Sequence, residues 1–293
     1  MPDRTIVRKT LRDLRWQVVG WGLGLAGLAA MLVLLYPAIA EQFEGVELEN
    51  IGFGEIGDLS NPRVFFQVEF FTWAPVLLTV FAIIVGGALL AREEGVGTLE
   101  LLLSQPLTRR ALVLGKAAGG ALAVVGVLLL AGAGFLLTAP WVDLKGEVAV
   151  GELFVAPLSL LTLSWFVLAA TMLTATLTPT RGRAAALMTA GAFVAYACYI
   201  AAGLVPSIEW MQYLTPYYYS DAQRVLTEGT VWWHQGLLLA AAAVCAALAL
   251  VAFERREIGV GRSPLADLLG RGGGGQGGVE ASEATREPSS VAR

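Results

Sequence analysis

Six long runs of apolar residues, separated by shorter polar segments, dominate the pattern along the chain. Each run is about 19 to 26 residues long, and a helix of about 20 residues crosses a hydrocarbon core of about 30 Å. Backbone polar groups in lipid must be satisfied within the segment, so each run is predicted to be a helix. The predicted spans are 17–39, 70–91, 117–141, 153–178, 184–205 and 235–253.

Composition agrees with this pattern. Of the 293 residues, 56% are hydrophobic and only 15% are charged, and the mean hydropathy is +0.65. A soluble domain of this length has too little interior to bury so much apolar surface, whereas lipid accepts it directly. The predicted fold class is therefore an all-α membrane protein with six transmembrane helices.

The distribution of Lys and Arg predicts how these helices are oriented. Basic residues alternate between many and few in successive segments, and the positive-inside rule then places both termini in the cytoplasm. Acidic residues concentrate in the first outer segment, so the net charge of −4 combines a basic inner face with an acidic outer face and does not indicate a nucleic-acid partner. The basic residues of the first three inner segments are Arg4, Arg8, Lys9, Arg12, Arg15; Arg92, Arg109, Arg110, Lys116; and Arg181, Arg183.

The chain divides into three predicted parts. Residues 1–16 form a basic amphipathic helix at the inner interface, 17–257 form the six-span domain, and 258–293 form a cytoplasmic tail that is Gly-rich and disordered from about 271. A merely solvated basic anchor remains the alternative for the first part. In that part, one helical face carries Val7, Leu11, Leu14 and Val18, and another carries Arg8, Arg12 and Arg15.

The first span also resembles a secretory signal. Ala38-Ile39-Ala40 resembles a cleavage site, and basic residues precede the apolar run. The run of about 23 residues is longer than the 7–15 residues typical of a signal. We therefore expect the span to be retained.

The last outer segment, 206–234, is rich in aromatic residues. Rings with a polar edge favour the headgroup level, so an aromatic belt is predicted, with a ligand-stacking platform as the alternative. The single histidine, His234, is predicted to be a polar tip at the edge of the last span. The aromatic residues are Trp210, Tyr213, Tyr217, Tyr218, Tyr219, Trp232 and Trp233.

The sequence lacks the residues that several transport and catalytic mechanisms require. The six predicted spans hold no Asp, Glu, Lys, Arg or His, which argues against a proton relay and less strongly against sodium coupling. One histidine supports neither a His-pair metal site nor a His-based triad. Gly115-Lys116 is followed by Ala, so the chain has no phosphate-binding loop of the Gly-Lys-Ser/Thr type. Cys198 and Cys245 lie inside spans and are predicted to be packing residues.

The polar segment between the second and third spans has its own pattern. Thr98 is suited to cap a short helix that ends near Pro106, and Thr108 is suited to cap the next span. Leu99 gathers with Leu102 and Leu103 on one side of that short helix. Such an apolar knob either docks into a cytoplasmic protein or lies on the membrane surface without a partner.

This segment resembles the signature of the ABC-2 type transporter permeases. The resemblance is carried by Ala91 to Arg109, which reads Ala-Arg-Glu-Glu-Gly-Val-Gly-Thr-Leu-Glu-Leu-Leu-Leu-Ser-Gln-Pro-Leu-Thr-Arg, and by the following Leu-Gly-Lys. It extends to the six spans, to Leu-Thr-Pro before the last span and to Phe-Glu-Arg-Arg-Glu-Ile after it. The spacing Gly95-Val96-Gly97 departs from the family pattern and leaves the register of the short helix open.

The resemblance implies a function in transport. This chain would be the permease subunit of an ATP-binding cassette exporter in the plasma membrane, and the helix at 97–106 would couple it to a separate cytoplasmic ATPase subunit. A second permease chain, identical or similar, would complete the transporter. The chain itself would be no enzyme and bind no cofactor, since ATP and Mg²⁺ would bind the ATPase. A membrane scaffold that recruits a regulatory protein and an ion-coupled carrier are the alternatives.

The resemblance also implies two groups of functional residues. The expected coupling residues are Glu94, Thr98, Leu99, Glu100, Leu102 and Leu103. The expected anchors at the inner interface are Arg8, Arg12, Arg15, Arg109, Arg110 and Lys116.

Overall fold

A computed structural model describes residues 4–42, 47–48, 57–96, 108–144, 146–222 and 224–255. Six helical segments in these ranges are long and apolar enough to cross a membrane. The prediction of six membrane helices is therefore confirmed. The predicted tail, 258–293, and most of the predicted coupling helix lie outside the described residues.

The secondary structure is almost entirely helical. Two strands of two residues each, β1 (Glu47–Leu48) and β2 (Gly57–Asp58), pair antiparallel in the first outer segment. The α-helices are α1 Arg4–Gln42, α2 Pro62–Glu69, α3 Ala74–Val96, α4 Arg109–Thr138, α5 Val150–Val155, α6 Leu161–Leu177, α7 Arg181–Leu204 and α8 Trp232–Arg255. The 3₁₀ helices are Ala139–Trp141, Ala156–Leu160, Pro206–Leu214 and Tyr218–Ser220.

Helix α1 joins two predicted parts of the chain into one element. Its 39 residues run from the basic N-terminal segment through the first span without a break, and at 1.5 Å per residue they extend about 58 Å. The helix is therefore longer than a hydrocarbon core. Ile6, Thr10 and Leu14 form its buried face in the first part, while Arg8 and Arg12 are exposed. The location of residues 4–16 at an inner interface stays a prediction.

The fourth span differs from its predicted form. The run 153–178 was expected to be one helix, but it consists of the end of α5, a 3₁₀ helix and then α6. Pro157 lies in the second position of the 3₁₀ helix, and a proline lacks the N–H that continues an α-helical ladder. The fourth span, Val150–Leu177, is therefore helical throughout but contains a stretch of 3₁₀ geometry.

The helices pack unevenly. Helix α1 lies along α4, α3 packs against α6, and α6 packs against α8. Between α1 and α4 the backbones approach closely, because a Cβ on Gly134 would lie 2.3 Å from the carbonyl oxygen of Ala26. Helix α7 is different: only Ala184 and Ala202 are buried along its length.

The densest part of the core is an aromatic cluster near the C-terminal ends of α1 and α4. Tyr36, Phe65, Phe66, Phe70 and Phe135 are at most 1% exposed, and their neighbouring ring centroids are 4.9–5.8 Å apart. Edge-to-face contacts at such distances add stabilisation to the burial itself. The cluster fixes α2 onto the ends of the membrane helices.

Candidate functional site

Most of the predicted coupling residues lie outside the described part of the chain. Glu94 lies in the last turns of α3, where only the backbone is described. The other five lie outside the described residues. Their proposed role stays a prediction, and the described residues on either side of this segment define the geometry of its attachment.

The start of α4 follows the predicted pattern. Thr108 is the N-cap residue, and its hydroxyl oxygen accepts a hydrogen bond from the backbone N–H of Ala111 at 3.3 Å. The predicted cap is confirmed. A capped start fixes where the helix begins and therefore where the segment 97–107 ends.

Lys116 ties α4 to α3. Its side chain is only 8% exposed, and Nζ donates a hydrogen bond to the carbonyl oxygen of Leu89 at 2.5 Å. A buried ammonium group needs such an acceptor, because an unpaired buried charge is very costly. The bond joins the two helices that flank the segment 97–107. The predicted role of Lys116 as an anchor at the lipid headgroups stays untested.

A second contact ties the start of α4 to the end of α8. The guanidinium of Arg110 donates two hydrogen bonds to the carboxylate of Glu254, one from Nε to Oε1 and one from Nη2 to Oε2 at 3.2 Å. Arg is suited to this bidentate geometry. We call Leu89, Lys116, Arg110 and Glu254 the inner clasp.

The remaining predicted anchors are less connected. Arg8, Arg12 and Arg15 are exposed on α1, and the guanidinium of Arg15 lies 5.4 Å from the ring centroid of Trp16. Arg109 is the first residue of α4, and its side chain is outside the description. Exposed cations next to a membrane helix are suited to headgroup contacts.

At the opposite end of the helices, Arg63 links three segments that are predicted to lie on the outer side. Its guanidinium donates to the carbonyl oxygens of Glu147 and Leu226, each at 2.8 Å, and forms an ion pair with Glu152 at 2.7 Å. The neighbouring Gln67 accepts a hydrogen bond from Leu226 N at 2.8 Å. A cleft of about 610 Å³ opens beside these residues. Sequence analysis did not single out Arg63, because its partners lie far away along the chain.

A buried polar network lies where the last outer segment enters α8. Asp221 and His234 are 1% and 3% exposed, and His234 Nδ1 lies 2.6 Å from Asp221 Oδ1. The other carboxylate oxygen accepts from Val231 N at 3.0 Å and from Gln235 Nε2 at 3.5 Å. His234 lies in the first turn of α8, at the edge of the last span as predicted, but the prediction that it is an exposed polar tip is wrong. The carboxylate binds the imidazole in the interior, and this contact offsets the cost of burial.

Arg224 completes this network from the solvent side. Its Nε lies 3.6 Å from Asp221 Oδ1. Burial disfavours its charge, but the hydrogen bond with Tyr218, together with the nearby Tyr218, Asp221 and Glu228, raises the pKa of the guanidinium. Arg224 thus keeps its charge beside the buried carboxylate.

The aromatic residues of this segment divide into two groups. Trp210, Trp232 and Trp233 are at least 60% exposed, which suits the predicted headgroup belt. Tyr217 is buried, and its hydroxyl donates to Thr79 Oγ1 on α3 at 3.3 Å. Burial raises the pKa of this hydroxyl, and the hydrogen bond with Thr79 partly opposes the shift. Tyr217 is therefore part of the core, whereas the tryptophans are available to lipid.

These features define a class of protein: a multi-pass helical membrane protein whose ion pairs, among the described residues, lie at the two ends of an apolar bundle. The family model described as "ABC-2 family transporter protein" matches residues 4–258. The chain belongs to this family and is the transmembrane permease component of an ABC transporter. A comparison with curated proteins found no match.

Proposed function

We propose that the chain is the permease of an exporter driven by a separate cytoplasmic ATPase, with the segment 97–106 as the coupling helix. The observation that carries this proposal is the family match over 4–258. The inner clasp supports it further, because Lys116 joins the two helices at the base of that segment. Because the two flanking helices are joined, a displacement of the segment moves both helices together.

The clasp suggests how movement spreads through the permease. Closure of the ATPase on ATP pushes the segment 97–106, and α3 and α4 move together because Lys116 binds the Leu89 carbonyl. Arg110 carries the displacement to α8 through Glu254. Helix α1 follows because it packs along α4. ATP shifts the assembly toward the state that it binds better. The resulting rigid-body movement changes access to the translocation path.

The proposed assembly includes two permease chains with cytoplasmic termini in the plasma membrane. Each rests on one ATPase subunit, which binds ATP and Mg²⁺. The exposed surface of α7 supports a second permease, since only 6% of the apolar window of Arg181–Leu204 is buried within the chain. The path would lie between the two copies.

The test replaces two coupling residues together, Glu100→Arg with Leu102→Asp. Affinity-tagged permease is isolated from its native membranes, and the co-isolated ATPase activity is measured. The double variant should retain folding and membrane insertion while losing most of the bound ATPase. Arg183→Glu is the control, because it reverses a charge in another predicted inner segment and is exposed.

Three outcomes would contradict the proposal. Unchanged ATPase association and unchanged export in the double variant would show that 97–106 is not the coupling element. Substrate movement in vesicles that contain this chain and no ATPase would instead indicate an ion-coupled carrier. A co-isolated protein without nucleotide hydrolysis would favour a scaffold.

A further inference from the structure

A groove of about 560 Å³ runs along α1 where this helix separates from α3. Its walls are largely apolar, and Gln17 is a polar residue among them. Its lining includes no residue of the inner clasp, and neither Arg63 nor Asp221. Its lining includes Trp16, Gln17, Gly20, Gly24, Leu28 and Leu77.

The shape of the groove suits a single extended chain. A Cβ added to Gly20 or Gly24 would meet nothing within 4 Å, so the glycines leave open space beside the helix. From Trp16 to Leu28 the helix rises about 18 Å, which is close to the depth of one leaflet, about 15 Å. A helix about 10 Å in diameter would fill roughly 1,400 Å³ over that length, which is far more than the groove holds.

The charges at one end of the groove indicate an anionic headgroup. Arg12 and Arg15 are exposed there, and Arg15 lies over the ring of Trp16 at 5.4 Å. Asp13 is also exposed in this turn, but Arg8 and Lys9 extend the basic surface one turn further. Basic side chains beside a membrane helix attract anionic lipids.

We infer that this groove is a binding site for an anionic glycerophospholipid. The phosphate contacts Arg15, and one acyl chain lies along Gly20, Gly24 and Leu28. The site is a property of the permease itself and goes beyond its proposed coupling to an ATPase. With the N-terminus in the cytoplasm, the bound lipid belongs to the inner leaflet.

The test is photolabelling of the full-length chain in nanodiscs. Phosphatidylglycerol and phosphatidylcholine probes with the same photoactivatable acyl chain are compared, and labelled peptides are mapped by mass spectrometry. Wild-type protein should be labelled within 16–28, more strongly by phosphatidylglycerol. Gly24→Leu fills the groove and should abolish this labelling. Gly27→Leu is the matched control, because Gly27 also faces open space but does not line the groove.

One further variant tests the basic contact. Arg15→Gln should reduce the preference for phosphatidylglycerol about fivefold, the effect expected for one basic residue near a lipid surface. Thermal unfolding of each variant in detergent establishes that the fold is retained.

Several results would overturn the inference. Equal labelling of Gly24→Leu and wild type would show that the chain does not enter the groove, and equal labelling by both lipids would remove the role of the basic residues. Native mass spectrometry provides a separate check. If Gly24→Leu converted a dimer into monomers while labelling persisted, the groove would be a contact with a second copy of the chain.

Discussion

At the scale of single residues, the polar side chains that stabilise the fold are those buried in an apolar molecule, where they form hydrogen bonds or ion pairs. Asp221 is buried in the left-handed region, with φ at 53°, and its carboxylate binds His234 and the backbone N–H of Val231. These bonds hold the start of α8 against the last outer segment. Removal of the charge from Asp221 tests their importance.

Asp221→Asn should lower the melting temperature of the detergent-solubilised chain. Asn tolerates the left-handed backbone, so the change affects mainly the bonds to His234 and Val231. Hydrogen bonds to charged groups contribute about 1.5–3 kcal/mol, and the free energy of unfolding should fall by a comparable amount. Circular dichroism during heating provides the measurement.

Glu228→Gln is the control for this variant. Its side chain is 69% exposed, and an exposed substitution typically changes the free energy of unfolding by less than about 0.5 kcal/mol. If both variants melted at the same temperature as wild type, the buried network would not stabilise the outer segment.

These residues also mark a limit of sequence analysis. Thr108 was predicted correctly as a cap because the signal is local: a hydroxyl residue directly before a helical run. The burial of His234 was not predicted, because its partner, Asp221, is 13 residues away in an irregular segment. Arg63 has partners 84 and 163 residues away. Periodicity within one element carries no information about such contacts.

At the scale of elements, glycines decide how closely the helices approach. A Cβ on Gly134 would collide with backbone atoms of Ala26, whereas one on Gly27 would meet nothing within 4 Å. Small residues that permit close backbone contact are typical of helix pairs in membranes. The contact between α1 and α4 therefore depends on Gly134.

Gly134→Ala should destabilise the chain, whereas Gly27→Ala should not. The extra methyl group at 134 forces the two backbones apart, and overpacking of this kind costs about 1–3 kcal/mol. At 27 the same change in an open helix position gains up to about 1 kcal/mol of helix propensity. Melting temperatures of the two variants should therefore shift in opposite directions. Equal shifts would contradict the close contact between α1 and α4.

The elements themselves were largely predictable, because spans must be long and apolar to cross lipid. All six were found from hydrophobicity alone. The exceptions have local causes: Pro157 interrupts the fourth span, and the basic residues before the first span do not interrupt α1. The pairing of the helices, with α1 along α4 and α6 against α8, could not be predicted. The apolar runs are alike, so their sequences do not indicate which helices contact each other.

At the scale of the whole molecule, polar contacts join segments at both ends of the apolar bundle. They involve Lys116 and Arg110 at the predicted inner end, and Arg63 and Asp221 at the predicted outer end. In the proposed function, a push at the inner end moves α3, α4 and α8 together. The proposed coupling segment is the place where that push would enter.

Site-specific photo-crosslinking from this segment tests the central claim most directly. A photoreactive amino acid is introduced at Leu102, and in a control variant at Gly146 in the predicted outer segment, and cells are irradiated with and without ATP depletion. Leu102 should crosslink to one ATPase subunit, with a yield that depends on ATP, and Gly146 should not. If Leu102 gave no ATPase crosslink while Gly146 did, the segment would lie on the wrong side of the membrane and the coupling account would be wrong.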